Sequence, residues 1–241
     1  MNILGTACAA LMTGALMGAG LVHAQTGPSR IYLPGPFDEL EIHGSAEVRF
    51  EQGNIDQVLV EGDDEAQSAV QLNLRNGRLN IHQGGTWKFW NNRRLQLTIT
   101  ARDLKRLSIS GAADVLAALP VKVGTLRVDI SGAGLARFDR LQAGELRFTV
   151  SGAGDGQFAG SVDHLSVSVS GKSDFRGEQL HAQSGRVTVS GLGDVKVWAE
   201  RDLSISISGV GTVDYWGSPT VKRRTSGLAT INARGSRAPT P

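Results

Sequence analysis

The sequence predicts an all-β protein, a β-solenoid built as a right-handed β-helix-like stack of strand-turn-strand repeats of about 20 residues. Three observations predict it. The dipeptide Ser-Gly recurs at a regular interval, a strand of alternating apolar and polar residues precedes each copy, and 31 of the 241 residues are glycine while aromatic residues make up only 5%. Glycine usually makes up about 7% of a protein, so this excess indicates many tight turns.

The Ser-Gly copies set the period of the chain. Successive copies begin 21, 20, 19, 20, 18 and 18 residues apart, an interval typical of a solenoid. The strand before a copy has alternating apolar residues, such as Leu126, Val128 and Ile130, and a shorter apolar stretch follows it. One repeat cannot bury its own apolar face, so residues 101–235 are predicted to stack as regular coils about 4.8 Å apart. The copies begin at Ser110, Ser131, Ser151, Ser170, Ser190, Ser208 and Ser226.

Each Ser-Gly pair is predicted to form a corner of a coil. The glycine is expected to supply the unusual backbone angles of a tight turn, and the serine hydroxyl to bond the backbone or the serine of the next coil. Equivalent serines lack the distinguishing neighbours that an activated nucleophile needs. The corner serines are therefore interpreted as structural.

Residues 25–100 are predicted to be a less regular N-terminal β part of the same domain. Strand-like alternation continues there, for example at Leu95, Leu97 and Ile99, and His43-Gly44 takes the place of a Ser-Gly pair. Because the apolar period is shared, no second domain is expected. Residues 236–241 form a polar tail, and the segment from Gly235 onward is expected to cover the lower end of the stack.

The first 24 residues are predicted to be a signal peptide. They carry no charged side chain and end in Val22-His23-Ala24, a small-residue cleavage pattern. Since no Lys or Arg begins the segment, an uncleaved anchor or a misplaced start is the alternative. The single cysteine, Cys8, lies inside it, so the mature chain from Gln25 has no disulfide or thiolate site. No later run is long and apolar enough to suggest a transmembrane segment.

Three stretches of the sequence carry a family resemblance. They are Phe37-Asp38, the run from Asn76 to Ile81, and the run from Leu107 to Val115 with the Ser-Gly-x-Gly copies after it. Together they resemble the head GIN domain proteins, also called putative auto-transporter adhesin heads, over roughly residues 30 to 235. The resemblance implies a β-helix like that of the pectin lyases without their catalytic residues. It also implies adhesion at the cell surface, with a homotrimer as one assembly.

An acidic residue stands three positions after the corner glycine in three consecutive repeats, at Asp155, Asp174 and Asp194. In a stack these carboxylates lie near 5 Å apart, where like charges repel unless they are paired or bridged. A Ca²⁺ ladder is one remedy, because calcium takes several oxygen ligands. Turn chemistry with local pairing to Lys172, Arg176 and Lys196 is favoured over it, so neither a metal nor a cofactor is predicted.

The segment from Gly84 to Arg94 is the most distinctive stretch outside the repeat, since it concentrates aromatic residues and cations in a glycine-opened loop. Indole faces stack on sugar rings, and arginine supplies polar contacts, so the segment is a candidate binding site for a glycan or an envelope protein. The alternative, which is favoured, is that the indoles cover the top coil. The candidate residues are Trp87, Lys88, Phe89, Trp90, Arg93 and Arg94.

Charge and missing motifs narrow the function. The 25 Lys and Arg against 23 Asp and Glu give a net charge of +2, too small for a general nucleic-acid binder. No His-Glu-x-x-His, Gly-x-Ser-x-Gly or P-loop motif occurs, so an enzyme is not expected. We therefore predict an exported, non-enzymatic β-solenoid that presents a binding or adhesion surface in the periplasm or at the cell surface. The alternatives are an envelope component that acts by homo-oligomerisation and, less favoured, a β-helix polysaccharide lyase or hydrolase that uses the three aspartates.

Overall fold

A computed structural model describes residues 29–62, 67–68, 70–83 and 95–237. Within these ranges the chain forms 17 strands that belong to one continuous sheet. The strands are β1 (Ser29–Tyr32), β2 (Glu39–Ile42), β3 (Ser45–Gln52), β4 (Gln57–Glu61), β5 (Val70–Arg75), β6 (Arg78–Gln83), β7 (Leu95–Ala101), β8 (Arg106–Ile109), β9 (Ala112–Ala117), β10 (Val121–Ile130), β11 (Ala133–Val150), β12 (Ala153–Val169), β13 (Lys172–Val189), β14 (Leu192–Ile207), β15 (Val210–Trp216), β16 (Thr220–Thr225) and β17 (Leu228–Ala233).

From β8 onward each strand pairs in parallel with the strand of the next coil, and about six turns lie between the first and last Ser-Gly corners. The β11 coil shows the shape of one turn, because its pairing with β12 falls into three runs. We call them side 1 (133–138), side 2 (141–143) and side 3 (145–150), and use these names for the matching residues of every coil. The predicted β-solenoid is confirmed.

The core fills the interior of the coils. On side 3, Leu146, Phe148 and Val150 are fully buried, while the residues between them face outward, as the alternation in the sequence predicts. Phenylalanines of successive coils stack, with ring centroids 5.5 Å apart for Phe138 and Phe158 and 5.6 Å apart for Phe158 and Phe175. One cluster of buried residues runs from Phe37 to Val213. It therefore includes the irregular N-terminal part.

The order of coils along the axis differs from the order along the chain. Strands β2 and β3 pair in parallel with β8 and β9 on one side, and with β6 and β7 on the other. The coil made by β6 and β7 is therefore added on the N-terminal side of the first coil. Strands β4 and β5 then pair antiparallel with β7 and β6, and β1 pairs antiparallel with β4, so these edges are covered.

The corner glycines are needed for close approach and not for unusual backbone angles. A Cβ added to Gly152 would lie 2.1 Å from the carbonyl oxygen of Gly132 in the preceding coil, and the Ser-Gly glycines of the other coils meet backbone in the same way. None of these glycines has a φ in the left-handed region, so the expected turn conformation is wrong. The hydroxyls bond backbone as expected: Ser170 Oγ donates to the Val150 carbonyl at 3.2 Å.

The C-terminal end of the stack is finished by a polar strand. In β16, Val221, Arg223 and Thr225 pair in register with the buried residues of β14, yet they are exposed or half-buried. A terminal repeat with polar residues at core positions is how solenoids avoid an exposed core. The tail residues that the structure describes lie beside Trp216, where Gly217 N–H donates to the Gly235 carbonyl at 3.0 Å. Residues 238–241 lie outside the described residues, so the cap at this end stays a prediction.

Candidate binding surface

A row of cations runs along the outer face of side 3, parallel to the solenoid axis. It occupies the position four residues before each corner serine, and register pairing places its members directly over one another. We call the five cations of this row the basic stripe: Arg106, Arg127, Arg147, Arg186 and Lys222. The intervening positions of the row are Ser166 and Ser204.

The C-terminal half of the stripe alternates cation and serine. Arg147, Arg186 and Lys222 are exposed and lie two coils apart, which corresponds to about 9.6 Å. They border a shallow groove of about 460 Å³ that also contains Ser166 and Ser204. The groove therefore offers spaced positive charges with a hydroxyl between them.

Carboxylates partly balance the stripe. Arg147 Nη2 donates to Glu145 Oε1 at 2.8 Å, and Arg106 Nη1 lies 3.8 Å from Asp129 Oδ2. In the part of the chain that the structure describes, the side chains of Arg127, Arg186 and Lys222 have no hydrogen-bond or ion-pair partner. Three charges of the stripe are therefore available to a ligand.

Beyond the stripe, toward the N-terminal end, the same row continues with Glu39 and Arg78. Arg78 donates to Glu39 Oε2 at 2.7 Å, and this hydrogen bond and the charge of Glu39 raise the pKa of the Arg78 guanidinium. The positive charge of the row is thus neutralised at this end. The excess of positive charge in the row therefore lies between Arg106 and Lys222.

Beside the stripe, two positions closer to the corner, runs a row of hydroxyls. It consists of Ser108, Thr149, Ser168, Thr188 and Ser206, with Asp129 and Arg224 as the charged members. Hydroxyls both donate and accept hydrogen bonds. Side 3 therefore combines cations with neutral groups suited to a polyhydroxylated ligand.

The predicted acidic column exists on side 1. Asp174 pairs with Asp194, and Asp155 Oδ1 accepts a hydrogen bond of 2.8 Å from the backbone N–H of Asp174. Arg176 lies 3.8 Å from Asp174. A depression of about 270 Å³ includes Asp174 and Asp194. Among the described residues no three His, Cys, Asp or Glu side chains are grouped so as to hold a metal ion.

The predicted aromatic site lies outside the described residues. Trp87, Lys88, Phe89, Trp90, Arg93 and Arg94 all belong to the segment that joins β6 to β7. The basic stripe, in contrast, is not among the sites predicted from the sequence. Its signal was available, because a cation stands four residues before the serine in five of the seven Ser-Gly corners. Over the described ranges, no helix has the length and apolar character that a membrane span requires.

Comparison with solved structures supports the fold. A putative adhesin from Bacteroides fragilis is similar with a TM-score of 0.81 and 22% identity, over 85% of this chain and 95% of that chain. A putative lipid binding protein from Parabacteroides distasonis matches with a TM-score of 0.65 and 19% identity, over 87% of this chain and 98% of that chain. A putative adhesin from Parabacteroides merdae matches with a TM-score of 0.65 and 16% identity, over 88% and 96%. At these sequence identities the similarity shows a shared fold and nothing further.

No curated protein matches the sequence. A family model described as "Putative auto-transporter adhesin, head GIN domain" matches residues 36–219, which include the whole run from β2 to β15. The match thus covers most of the solenoid and confirms the resemblance noted in the sequence. This chain belongs to the head GIN domain family of putative auto-transporter adhesins.

Proposed function

We propose that the protein is an exported, non-enzymatic binding module of the cell envelope and that side 3 binds a linear anionic glycan along the solenoid axis. The observation that carries the proposal is the basic stripe, in which backbone pairing holds Arg147, Arg186 and Lys222 in one straight row. A ligand with carboxylates or sulfates at regular intervals meets a cation at every second coil. Arginine suits such groups because its planar guanidinium binds them bidentately.

The surroundings of the stripe favour a glycan over a nucleic acid. The row beside it carries hydroxyls such as Thr149, Ser168 and Thr188, which can bond the hydroxyls of sugars. The described residues of the stripe and of the hydroxyl row include no Phe, Tyr or Trp, whereas single-stranded nucleic acids are usually held by stacking on aromatic rings. The net charge of +2 is also too small for a general nucleic-acid binder.

Preorganisation is the physical advantage of this surface. From β8 to β14 the stripe belongs to a parallel ladder whose inner side chains are buried, so its backbone there pays no ordering cost when a ligand binds. Only the long side chains lose freedom. Individual contacts to exposed cations are weak, and a polymer gains affinity by making several of them at once.

Binding is tested with polygalacturonate as the anionic probe and dextran of similar length as the neutral one, by isothermal titration calorimetry. The variant carries Arg147→Ser, Arg186→Ser and Lys222→Ser, which copy the serine that the row already holds in other coils. We expect the wild type to bind only the anionic probe, with affinity that falls as salt rises. The triple variant should lose at least about tenfold in affinity.

A matched control removes three cations from other positions, with Arg137→Ser, Arg176→Ser and Lys196→Ser on side 1. This variant should bind like the wild type. Equal loss in both triple variants, or no binding by the wild type, would refute a site on side 3. Single-stranded DNA that competes as well as the polysaccharide at equal charge would assign the stripe to nucleic acid instead.

Export is supported by the charge-free N-terminal segment and by membership of a family described as adhesins. Protease shaving of intact cells that express a C-terminally tagged chain is the test. Cleavage in intact cells places the protein on the surface, and cleavage only after the outer membrane is opened places it in the periplasm. Recovery of the tagged chain in the cytoplasmic fraction alone would refute export.

A second candidate is an envelope component that acts by homo-oligomerisation, for which an exposed apolar row near the C-terminal end is the supporting observation. A corner row there holds three exposed apolar residues, Leu192, Val210 and Leu228, of which Leu228 is 75% exposed. Light scattering of the mature chain discriminates between the candidates. A strict monomer refutes the assembly role, and a trimer supports it.

The aromatic segment stays a separate prediction. A glycan array with the wild type and the Trp87→Ala and Trp90→Ala variants tests it. Binding that both substitutions abolish, while the triple variant of the basic stripe retains it, would place a second glycan site there. Unchanged binding in both variants would remove that prediction.

A further inference from the structure

The geometry points to Ser110 as an activated nucleophile that accepts an acyl group from an ester, at the corner where the first Ser-Gly pair meets His43. Ser110 Oγ lies 2.6 Å from Nδ1 of His43, and Nε2 of the same ring lies 3.2 Å from Oε1 of Glu41. The serine is exposed, whereas the histidine and the glutamate are half-buried. This is a nucleophile, a base and an orienting carboxylate in one line.

The distances indicate that the proton would pass from the Ser110 hydroxyl to the His43 ring. The carboxylate of Glu41, 3.2 Å from Nε2 of His43, favours a proton on that nitrogen, which leaves Nδ1 as the acceptor of the Ser110 hydroxyl proton. The other acceptor for this hydroxyl, the Ile42 carbonyl, lies farther away at 3.4 Å. The two ring nitrogens are exchanged relative to the usual serine hydrolase arrangement, but the order of groups is the same.

The imidazole is held in place from a second direction. The ring of His82 stacks on that of His43, with centroids 4.2 Å apart and an angle of 8° between the planes. The backbone N–H of His43 donates to the Ile81 carbonyl at 2.9 Å. A base that is oriented before the reaction accepts the proton without a cost in reorganisation.

Position in the stack distinguishes Ser110 from the other corner serines. Their neighbours in the preceding coil are again serines, because Ser131 follows Ser110 and Ser151 follows Ser131 along the axis. Only at Ser110, among the corners that the structure describes, does the preceding coil offer a histidine. Ser184 also lies 2.8 Å from a histidine, His164, but in the described part of the chain no carboxylate bonds that ring.

The reaction is a single acyl transfer. Ser110 Oγ bonds to the ester carbonyl carbon while its proton passes to His43 Nδ1, and the carbonyl electron pair moves to the oxygen. When the pair returns, the bond to the leaving alkoxide breaks and the alkoxide takes the proton from Nδ1. The products are acyl-Ser110 and a free alcohol. An ester-bearing ligand would thus become covalently attached to the corner.

A donor for the developing oxyanion is also present. The backbone N–H of Gly111 directly follows the nucleophile, the place from which many hydrolases take one oxyanion donor. In the described ranges it has no acceptor, as is also true of the matching N–H groups of Gly152 and Gly227, whereas that of Gly132 donates to the Ile109 carbonyl at 3.4 Å. The Gly111 N–H is therefore free to bond a ligand oxygen.

The test is labelling of the folded wild-type chain with an alkyl fluorophosphonate, followed by peptide mapping. Here Oγ bonds to phosphorus, fluoride leaves, and His43 takes the proton. We expect Ser110 to be labelled at least about 100-fold faster than any other corner serine, since general-base catalysis contributes that much. This comparison lies within one molecule and needs no variant. Labelling of none or of several corner serines at equal rates would overturn the inference.

Two variants then assign the roles. His43→Ser restores the residue that other corners have and should lower the labelling rate of Ser110 by about 100-fold, while Glu41→Gln should lower it less. Ser151→Ala is the matched control and should leave labelling of Ser110 unchanged. Far-UV circular dichroism checks that each variant is folded. Unchanged labelling in a folded His43→Ser protein would overturn the role of the histidine as the base and with it the inference.

Discussion

Replacing a corner glycine by alanine should open the solenoid at one corner. In Gly152→Ala the new Cβ would lie 2.1 Å from the Gly132 carbonyl oxygen and 2.4 Å from that of Ser131. Real Cβ contacts are essentially never closer than 3.0 Å, so the two coils must separate by about 0.9 Å at this point. The atoms in the way are backbone, and a rotamer change cannot relieve the contact.

The cost can be estimated from the bonds on either side of the corner. Ser151 N–H donates to the Ile130 carbonyl and Ala153 N–H to the Gly132 carbonyl, both at 2.9 Å, and the separation would take both beyond hydrogen-bond distance. Each bond contributes about 1 kcal/mol net, and the strain of overpacking adds about 1–3 kcal/mol. The free energy of unfolding should therefore fall by about 3–5 kcal/mol, a large part of the usual ~5–15 kcal/mol.

Urea unfolding followed by far-UV circular dichroism measures this loss. The matched control is Gly124→Ala, because a Cβ at Gly124 meets nothing within 4 Å and the φ of this residue is also outside the left-handed region. The control should change the free energy of unfolding by less than about 0.5 kcal/mol. Equal losses in the two variants would show that backbone freedom, and not close approach, explains the corner glycines.

Three further predictions address the core, the C-terminal end and the acidic column. Phe158→Ala removes the middle ring of the stack, which is 1% exposed, and should lower the free energy of unfolding by about 3–5 kcal/mol in the same urea experiment; a loss below about 1 kcal/mol would contradict the packing. Burial alone would raise the pKa of Asp214, but hydrogen bonds from Arg234 and Asn232 and nearby positive charge outweigh it and lower the pKa. Its stabilisation should therefore be complete at neutral pH and fade as the pH falls below about 4, so the difference in unfolding free energy between wild type and Asp214→Asn should shrink over that window; a constant difference would refute it. Dialysis against EDTA should leave the melting temperature unchanged, because the Asp155 carboxylate already bonds the backbone of the next coil, and a lower melting temperature would revive the Ca²⁺ ladder.

The regular coils could be predicted from the sequence because two periods agree there. The interval of about 20 residues returns the chain to the same corner, and the alternation of period two decides which side chains face inward. Leu126 and Leu146, for example, stand five residues before their corner serines, and both are fully buried. Once the corners are aligned, outward rows follow from the same count, and the basic stripe was predictable in principle.

The N-terminal arrangement could not be predicted in this way. A period read along the chain suggests that the coil after His43 is the next one in sequence, but the structure places β6 and β7 on the other side of β2 and β3. His43 consequently lies against Ser110, 67 residues away, and their hydrogen bond has no signature in local sequence. Only the pairing of β2 with β8 creates it.

Close approach at the corners links the fold to the chemistry proposed for its surface. Gly111 approaches the backbone of Gly44 as closely as Gly152 approaches Gly132, and it is this contact that brings the residues before them, Ser110 and His43, within hydrogen-bond distance. The inward apolar residues, the corner glycines and the parallel ladder maintain the stacking, so outward positions and the residue before each corner glycine are free to vary without loss of the fold. From Ser131 onward, each of six corner serines lies over a serine of the preceding coil. At Ser110 the preceding coil has a histidine in that place, and this single change supplies the base that the other corners lack.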